Sequence, residues 1–240
     1  MKKYALLNRF LDLLYPPRCI LCHRFLQQGE RELCPECRGN LPILPKEERS
    51  QTLSGISSCC SLFDYEGEVR QSVLRYKFGG RSFYGRIYGD MLAQWVDRDE
   101  YDCDIITWVP LSRKRKRSRG YDQAKLIADA FARRTGIPCR GLLKKIKNTA
   151  PQSGTDSREA RRMNIADAYM PICPEEISGR RILLMDDIVT TGATLSECAK
   201  VLTRAGAKDV RALTLARTRQ RSKTINDAEL SADGSINDHI

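Results

Sequence analysis

Apolar positions along the chain change period several times, and each change marks an element. Val69, Val73, Tyr76 and Lys77 fall on one helical stripe, and Ile87, Met91, Leu92 and Trp95 on another. Ile105–Val109 is a short apolar run closed by Pro110, which predicts a buried strand. Tyr121–Arg134 repeats apolar residues at Ala124, Ile127, Ala128 and Phe131, then stops at Gly136 as a helix does. Ile182–Met185 is fully apolar. Leu195, Cys198, Val201 and Leu202 return to helical spacing as far as Gly206, and Val210–Leu215 restores a strand. Strand, loop, helix and strand in such close succession make a βαβ unit, so the core is expected to be a parallel sheet covered by helices.

The same pattern divides the chain. Residues 1–45 are rich in Cys, Pro, Leu and Arg and predict a small N-terminal module. A polar connector is expected at 46–58, an α/β domain over 59–219, and a disordered tail at 220–240, where large apolar residues nearly vanish. Met1–Leu14 reads as a short amphipathic helix, because Asn8, Arg9 and Asp12 interrupt its apolar run. No stretch reaches the twenty or so apolar residues of a membrane span, so a cytoplasmic protein is expected.

Composition adds one constraint. The formal charge of +11 favours polyanions, whether nucleic acid or small phosphorylated substrates. Ten cysteines in a reducing compartment point to metal binding or burial rather than disulfides.

The most informative segment runs from Leu183 to Leu195. A buried strand delivers Asp186 and Asp187 to its C-terminal end, where open α/β sheets bind ligands. A loop of small and hydroxyl residues follows, Thr190-Thr191-Gly192-Ala193-Thr194, and then a helix. Backbone N–H groups at the helix start and the threonine hydroxyls make a phosphate cradle, and Gly192 lets backbone approach a ligand closely. Two carboxylates several residues away suit a pair of vicinal hydroxyls. Phosphate at one end and a diol at the other describe a ribose 5-phosphate. The plainer reading is an acid pair ending a strand, plus a Thr-rich cap.

This segment resembles the phosphoribosyl pyrophosphate (PRPP) motif of type I phosphoribosyltransferases. The resemblance implies that Asp186 and Asp187 hold the ribose hydroxyls and that Thr190–Thr194 grips the 5-phosphate. Ala193 stands where many members have a second glycine.

A second loop is expected at Pro110–Gln123. In phosphoribosyltransferases a loop after an earlier strand faces the pyrophosphate, which assigns Arg119 and Gly120 to that group, together with Mg²⁺ carried by PRPP. Arg113, Lys114, Arg115, Lys116 and Arg117 read equally as a solvated charge run or a nucleic-acid patch. Lys144–Tyr169 reads as a mobile flap or as a plain surface excursion.

Cys19-x-x-Cys22 and Cys34-x-x-Cys37, eleven residues apart, place two thiolates on each of two tight turns. That is the donor set of a closed, structural Zn²⁺ site. Redox disulfides and chance clustering are the alternatives, and His23 is a weaker alternative ligand. Adjacent Cys59 and Cys60 make a poor knuckle. Cys103, Cys139, Cys173 and Cys198 read as buried thiols.

Taken in order, Leu14–Cys19, the two knuckles, Tyr76-Lys77-Phe78-Gly79-Gly80, Val109-Pro110-Leu111, Arg119–Gln123 and Asp186–Gly192 resemble the ComF family. The resemblance implies a type I phosphoribosyltransferase fold joined to an N-terminal zinc ribbon, Lys77 as a further substrate-binding residue, and a link to DNA uptake in natural transformation. Three functions follow as expectations. The first is an active transferase with an unidentified acceptor. The second is a single-stranded-DNA handler meeting DNA-uptake proteins. The third is a PRPP sensor without catalysis.

Overall fold

Four parallel strands and one antiparallel edge strand form the core of the computed structural model, which describes residues 16–147 and 167–219. The expected N-terminal helix, most of the expected flap and the C-terminal tail lie outside the described residues.

Strand β1 (Ser50–Leu53) turns back antiparallel into β2 (Ile56–Asp64). After β3 (Ile105–Trp108) come a two-stranded hairpin, β4 (Leu143–Lys145) and β5 (Tyr169–Pro171), then β6 (Arg181–Val189) and β7 (Asp209–Arg217). The main sheet has the order β1-β2-β7-β6-β3. β6 pairs in parallel with β3 and β7 on its two sides, Leu184 lying opposite Thr107 and Ala212. All three of these strands bury both faces, which is why they read as unbroken apolar runs.

Side-chain alternation along β6 assigns its residues to two cores. Leu183 and Met185 face helices α3 (Gly67–Phe78), α4 (Tyr84–Trp95) and α7 (Gln123–Thr135), packing with Val73, Tyr76, Leu92, Ile127 and Phe131. Ile182 and Leu184 face helix α9 (Ala193–Arg204), with Leu195, Cys198 and Leu202. α7 ends at Gly136, which takes the left-handed conformation at φ +72°. α4 and α7 cross closely, because a Cβ on Gly89 would lie 2.5 Å from that of Ala130.

Two expectations change. Residues 46–58 are not a connector. They form the short helix α2 (Lys46–Arg49), β1 and the first part of β2. Arg49 makes this segment look polar, yet it is buried. Its guanidinium meets Glu100 at 3.2 Å and donates to the carbonyls of Leu44 and Trp95. Glu100 in turn sits in α5 (Arg98–Tyr101) and accepts the Cys60 thiol at 3.2 Å. Cys59 and Cys60 are both fully buried within β2 and belong to opposite faces of the sheet. Finally, Cys139 and Cys173 are only half-buried, unlike Cys103 and Cys198.

Before the sheet, the module built on α1 (Pro35–Gly39) packs Ile20, Leu21 and Leu33 into the same core as α3 and α4. The last short helix, α8 (Pro174–Ile177), precedes β6. Among the described residues no helix is long and apolar enough to cross a membrane.

Candidate functional site

At the C-terminal end of β6 the alternation that sorts the core also separates the two acids. The strand runs on through Val189, so both acids lie within it rather than beyond it. Asp187 follows the phase of Leu183 and Met185 and faces α3, where Lys77 Nζ lies 2.9 Å from its Oδ2. Both partners are largely buried, so this is a desolvated ion pair. Asp186 follows Leu184 toward α9 and the hairpin. Burial pushes its carboxyl up to about 8, and the Asp187 charge adds to the rise while Lys77 opposes it. Its Oδ1 accepts the N–H of Asp187 at 2.8 Å.

The loop after β6 is short. Thr190 is exposed, Thr191 half-buried, and Gly192 buried at φ +75°. Gly192 then caps α9 with its carbonyl, accepting from Ser196 N–H at 2.9 Å. The first N–H groups of the helix have no acceptor within it, as at any helix start. Thr191 Oγ1 takes the N–H of Ala193 at 3.4 Å, and Thr194 is half-buried beside them. Leu53 of β1 packs directly on Gly192.

The basic segment expected as a loop is a helix, α6 (Arg113–Arg119). Ser112 caps its start by accepting from Arg115 N–H, and Gly120 ends it in the left-handed conformation at φ +79°. Helical geometry sorts its cations. Arg113, Lys114, Lys116 and Arg117 are exposed, whereas Arg115 and Arg119, one turn apart, are half-buried. Arg119 donates to Gln123 Oε1 at 3.0 Å and lies 5.2 Å from the centre of the Phe78 ring. Arg115 is within electrostatic reach of Lys145 and Tyr169.

Lys145 and Tyr169, paired across the two hairpin strands, are further candidate site residues that the sequence reading did not single out. The Lys145 ammonium lies 5.1 Å over the Tyr169 ring. Burial, with Arg115 second, lowers its affinity for a proton, and Asp186 acts in the opposite direction. Tyr169 is pushed up chiefly by burial and then by the Cys198 and Asp186 charges. A half-buried lysine in a hairpin strand carried little signal in the sequence beyond its basic neighbours.

In the N-terminal module the Sγ atoms of Cys19, Cys22, Cys34 and Cys37 all lie within 4.8 Å of one another. Those of Cys22 and Cys34 are 3.8 Å apart, about the edge of a tetrahedron built on Zn–S bonds of ~2.3 Å. The donor set therefore fits a four-thiolate Zn²⁺ centre. His23 stands outside the cluster. The first knuckle is gripped from α3: Ser72 Oγ donates to the Ile20 carbonyl, and Arg75 to the carbonyls of Ile20 and Leu21.

Comparison with known proteins agrees with this arrangement. A double zinc ribbon domain matches residues 10–49, and a phosphoribosyl transferase domain matches residues 118–239. Competence protein F of Haemophilus influenzae is 36% identical, over 83% of this chain and 96% of its own. The chain belongs to the ComF family. Within that family, competence protein ComFC of Streptococcus pneumoniae is 29% identical over 83% of this chain and 87% of its own length. A DNA utilization protein of Salmonella typhi is 29% identical over 83% and 90%. The ComF chain thus joins a zinc ribbon to a type I phosphoribosyltransferase-like α/β domain, as its sequence predicted.

Proposed function

We propose that the C-terminal edge of β6 binds PRPP. The carrying observation is the convergence of an acid pair, a helix start with Gly192 in the left-handed conformation, and cations from two other elements at one end of the sheet. In this reading the 5-phosphate takes the N–H groups and hydroxyls of Thr190–Thr194, and Asp186 and Asp187 accept from the ribose hydroxyls. Lys77 keeps Asp187 in place from behind. Arg115 and Lys145 face the pyrophosphate, with Arg119 and Gly120 at the far end of the same helix. Mg²⁺ enters with PRPP as part of the substrate, masking pyrophosphate charge. If transfer follows, an acceptor displaces pyrophosphate at C1 of the sugar, and the fixed cations stabilise the departing charge.

Calorimetric titration of the zinc-loaded full chain with PRPP and Mg²⁺ tests the reading. Saturable binding is expected, and it should vanish in an Asp186→Asn/Asp187→Asn variant that still folds. A folded wild type that takes up no PRPP would sink it.

A second reading shares the fold. The exposed side of α6 carries Arg113, Lys114, Lys116 and Arg117 beside an open cavity of about 600 Å³. Such a row suits the backbone of single-stranded DNA, in keeping with a role beside DNA-uptake proteins in the cytoplasm. Binding to a short oligonucleotide should weaken steeply with salt and disappear when these four cations are reversed to glutamate. Survival of binding in that variant would remove the patch from consideration.

A further inference from the structure

Helix α3 is shared between the cysteine module and the β6 acids. Arg75 and Lys77 stand two residues apart, so their side chains leave the helix about 200° apart, on opposite faces. Arg75 reaches the first knuckle, where its guanidinium donates to the Ile20 carbonyl at 3.1 Å and to the Leu21 carbonyl. Nearly one turn earlier the buried Ser72 hydroxyl donates to the Ile20 carbonyl as well, and it shares a 2.6 Å bond with the Tyr88 hydroxyl of α4. On the opposite face Lys77 Nζ lies 2.9 Å from Asp187 Oδ2.

Ile20 and Leu21 are the whole of the segment between Cys19 and Cys22, so both of its carbonyls are spent on α3. Because the acceptors are backbone groups, these bonds depend on the path of the turn rather than on its side chains. A module this small brings few side chains to the core, Ile20, Leu21 and Leu33 among them, so a bound metal supplies much of what fixes its turns. The middle of α3 has a separate anchor. The Tyr76 hydroxyl donates to the Gln123 carbonyl at 2.8 Å, and the Tyr76 carbonyl accepts from the Tyr121 hydroxyl. Loss of the turn therefore changes how α3 is seated without undocking it from α7.

Resting on the PRPP reading above, we propose that the zinc ribbon positions the sugar-phosphate site: with Zn²⁺ held at Cys19, Cys22, Cys34 and Cys37, the Ile20–Leu21 turn seats α3 through Ser72 and Arg75, and α3 holds Lys77 against Asp187. When the metal is lost, Arg75 loses its acceptors and Lys77 draws away from Asp187. Asp187 is then a buried carboxylate beside another acid, which favours its protonated form and weakens its hold on vicinal hydroxyls. Linkage makes the effect reciprocal, so a bound sugar phosphate tightens zinc by the same factor.

Calorimetry with ribose 5-phosphate on the zinc-loaded and the zinc-depleted full chain reads one half of the cycle. Equilibrium competition for zinc with a pyridylazoresorcinol dye reads the other, with dye and sugar alone as the blank. Zinc depletion should weaken ribose 5-phosphate binding about fivefold or more, and saturating ribose 5-phosphate should raise zinc affinity equally. A Ser72→Ala/Arg75→Met variant should keep its zinc while the factor falls toward one. Amide hydrogen exchange in the wild type adds a readout that needs no ligand. On zinc removal residues 72–77 should lose protection while residues 197–204 of α9 keep it. Equal ribose 5-phosphate affinity with and without zinc, or a factor that survives in the variant, overturns the proposal and leaves the PRPP site standing. Loss of protection in α9 in step with α3 also overturns it, because the metal would then be a requirement of the whole fold. If neither ribose 5-phosphate nor PRPP binds the zinc-loaded chain, the underlying reading falls and takes this one with it.

Discussion

Leu53 lies so close to Gly192 that a Cβ on the glycine would come within 2.3 Å of the Leu53 Cδ2. The contact ties the edge strand β1 to the loop that begins α9, and it leaves no room for a side chain. Gly192 is also held at φ +75°, a conformation that L residues adopt at a cost. Gly192→Ala should therefore destabilise the chain by about 2 kcal/mol, from strain and overpacking together. Leu53→Ala in the same chain should return part of that loss, and urea unfolding of the two single variants and the double measures the coupling.

Lys77 and Asp187 form the second linkage. Replacing Lys77 by methionine leaves a largely buried carboxylate without its cation, which should cost about 3 kcal/mol. Adding Asp187→Asn removes the stranded charge, so Lys77→Met/Asp187→Asn should be more stable than Lys77→Met alone. Thermal unfolding at neutral pH decides it, and additive losses would mean that the pair contributes nothing.

Asp186 predicts a pH dependence. Its folded-state value is raised to about 8 from an ordinary 3.8, so between those limits the native state holds a proton that the unfolded chain releases. Its contribution to stability is complete below the unfolded value and is lost as pH rises toward 8. The unfolding temperature of the ligand-free protein should fall across that window, and the fall should be shallower in Asp186→Asn. Affinity for a diol should change the other way, rising as Asp186 ionises. An identical slope in the variant would locate the effect elsewhere.

Zinc content follows from the cysteine cluster. Among the described residues, which include every cysteine, one four-thiolate cluster forms, and Cys59 and Cys60 point into separate cores. Plasma emission spectrometry should find one zinc per chain in the wild type and none in Cys19→Ser/Cys34→Ser. The variant should also be cut more rapidly by trypsin near Arg24 and Arg31, whose turns a bound metal would hold closed. Two zinc ions per chain would contradict the single site.

Much of the site was legible because its signals are local. The β6 run, the hydroxyl loop and the amphipathic α9 sit within one stretch, and the two Cys-x-x-Cys turns need no long-range information. The basic helix was misread although its caps, Ser112 and Gly120, were in view, because seven polar residues carry no apolar stripe. β2 was half hidden for the opposite reason. It buries both faces while mixing serines and cysteines with its apolar residues, and Arg49, just before its partner strand β1, looks like surface until Glu100, fifty-one residues on, supplies its partner. The Lys77–Asp187 pair joins elements far apart in the chain, and only the folded sheet brings them together.

The pairing of β2 with β7 sets an order of events on the ribosome. Ser61 and Thr214 share a 2.7 Å hydrogen bond across 153 residues of chain, and neither neighbour of β7 in the sheet can replace the strand they share. Among the described strands β2 is made early but has no parallel partner until β7, the last of them, emerges. The helices α3, α4 and α7 can cover Cys60 and Phe63 on one face before then, but Cys59 on the other face waits for α9 and the later strands. Truncation shortly before Asp209 therefore removes more than a terminal strand: it leaves the first half of the protein without the seam that closes it.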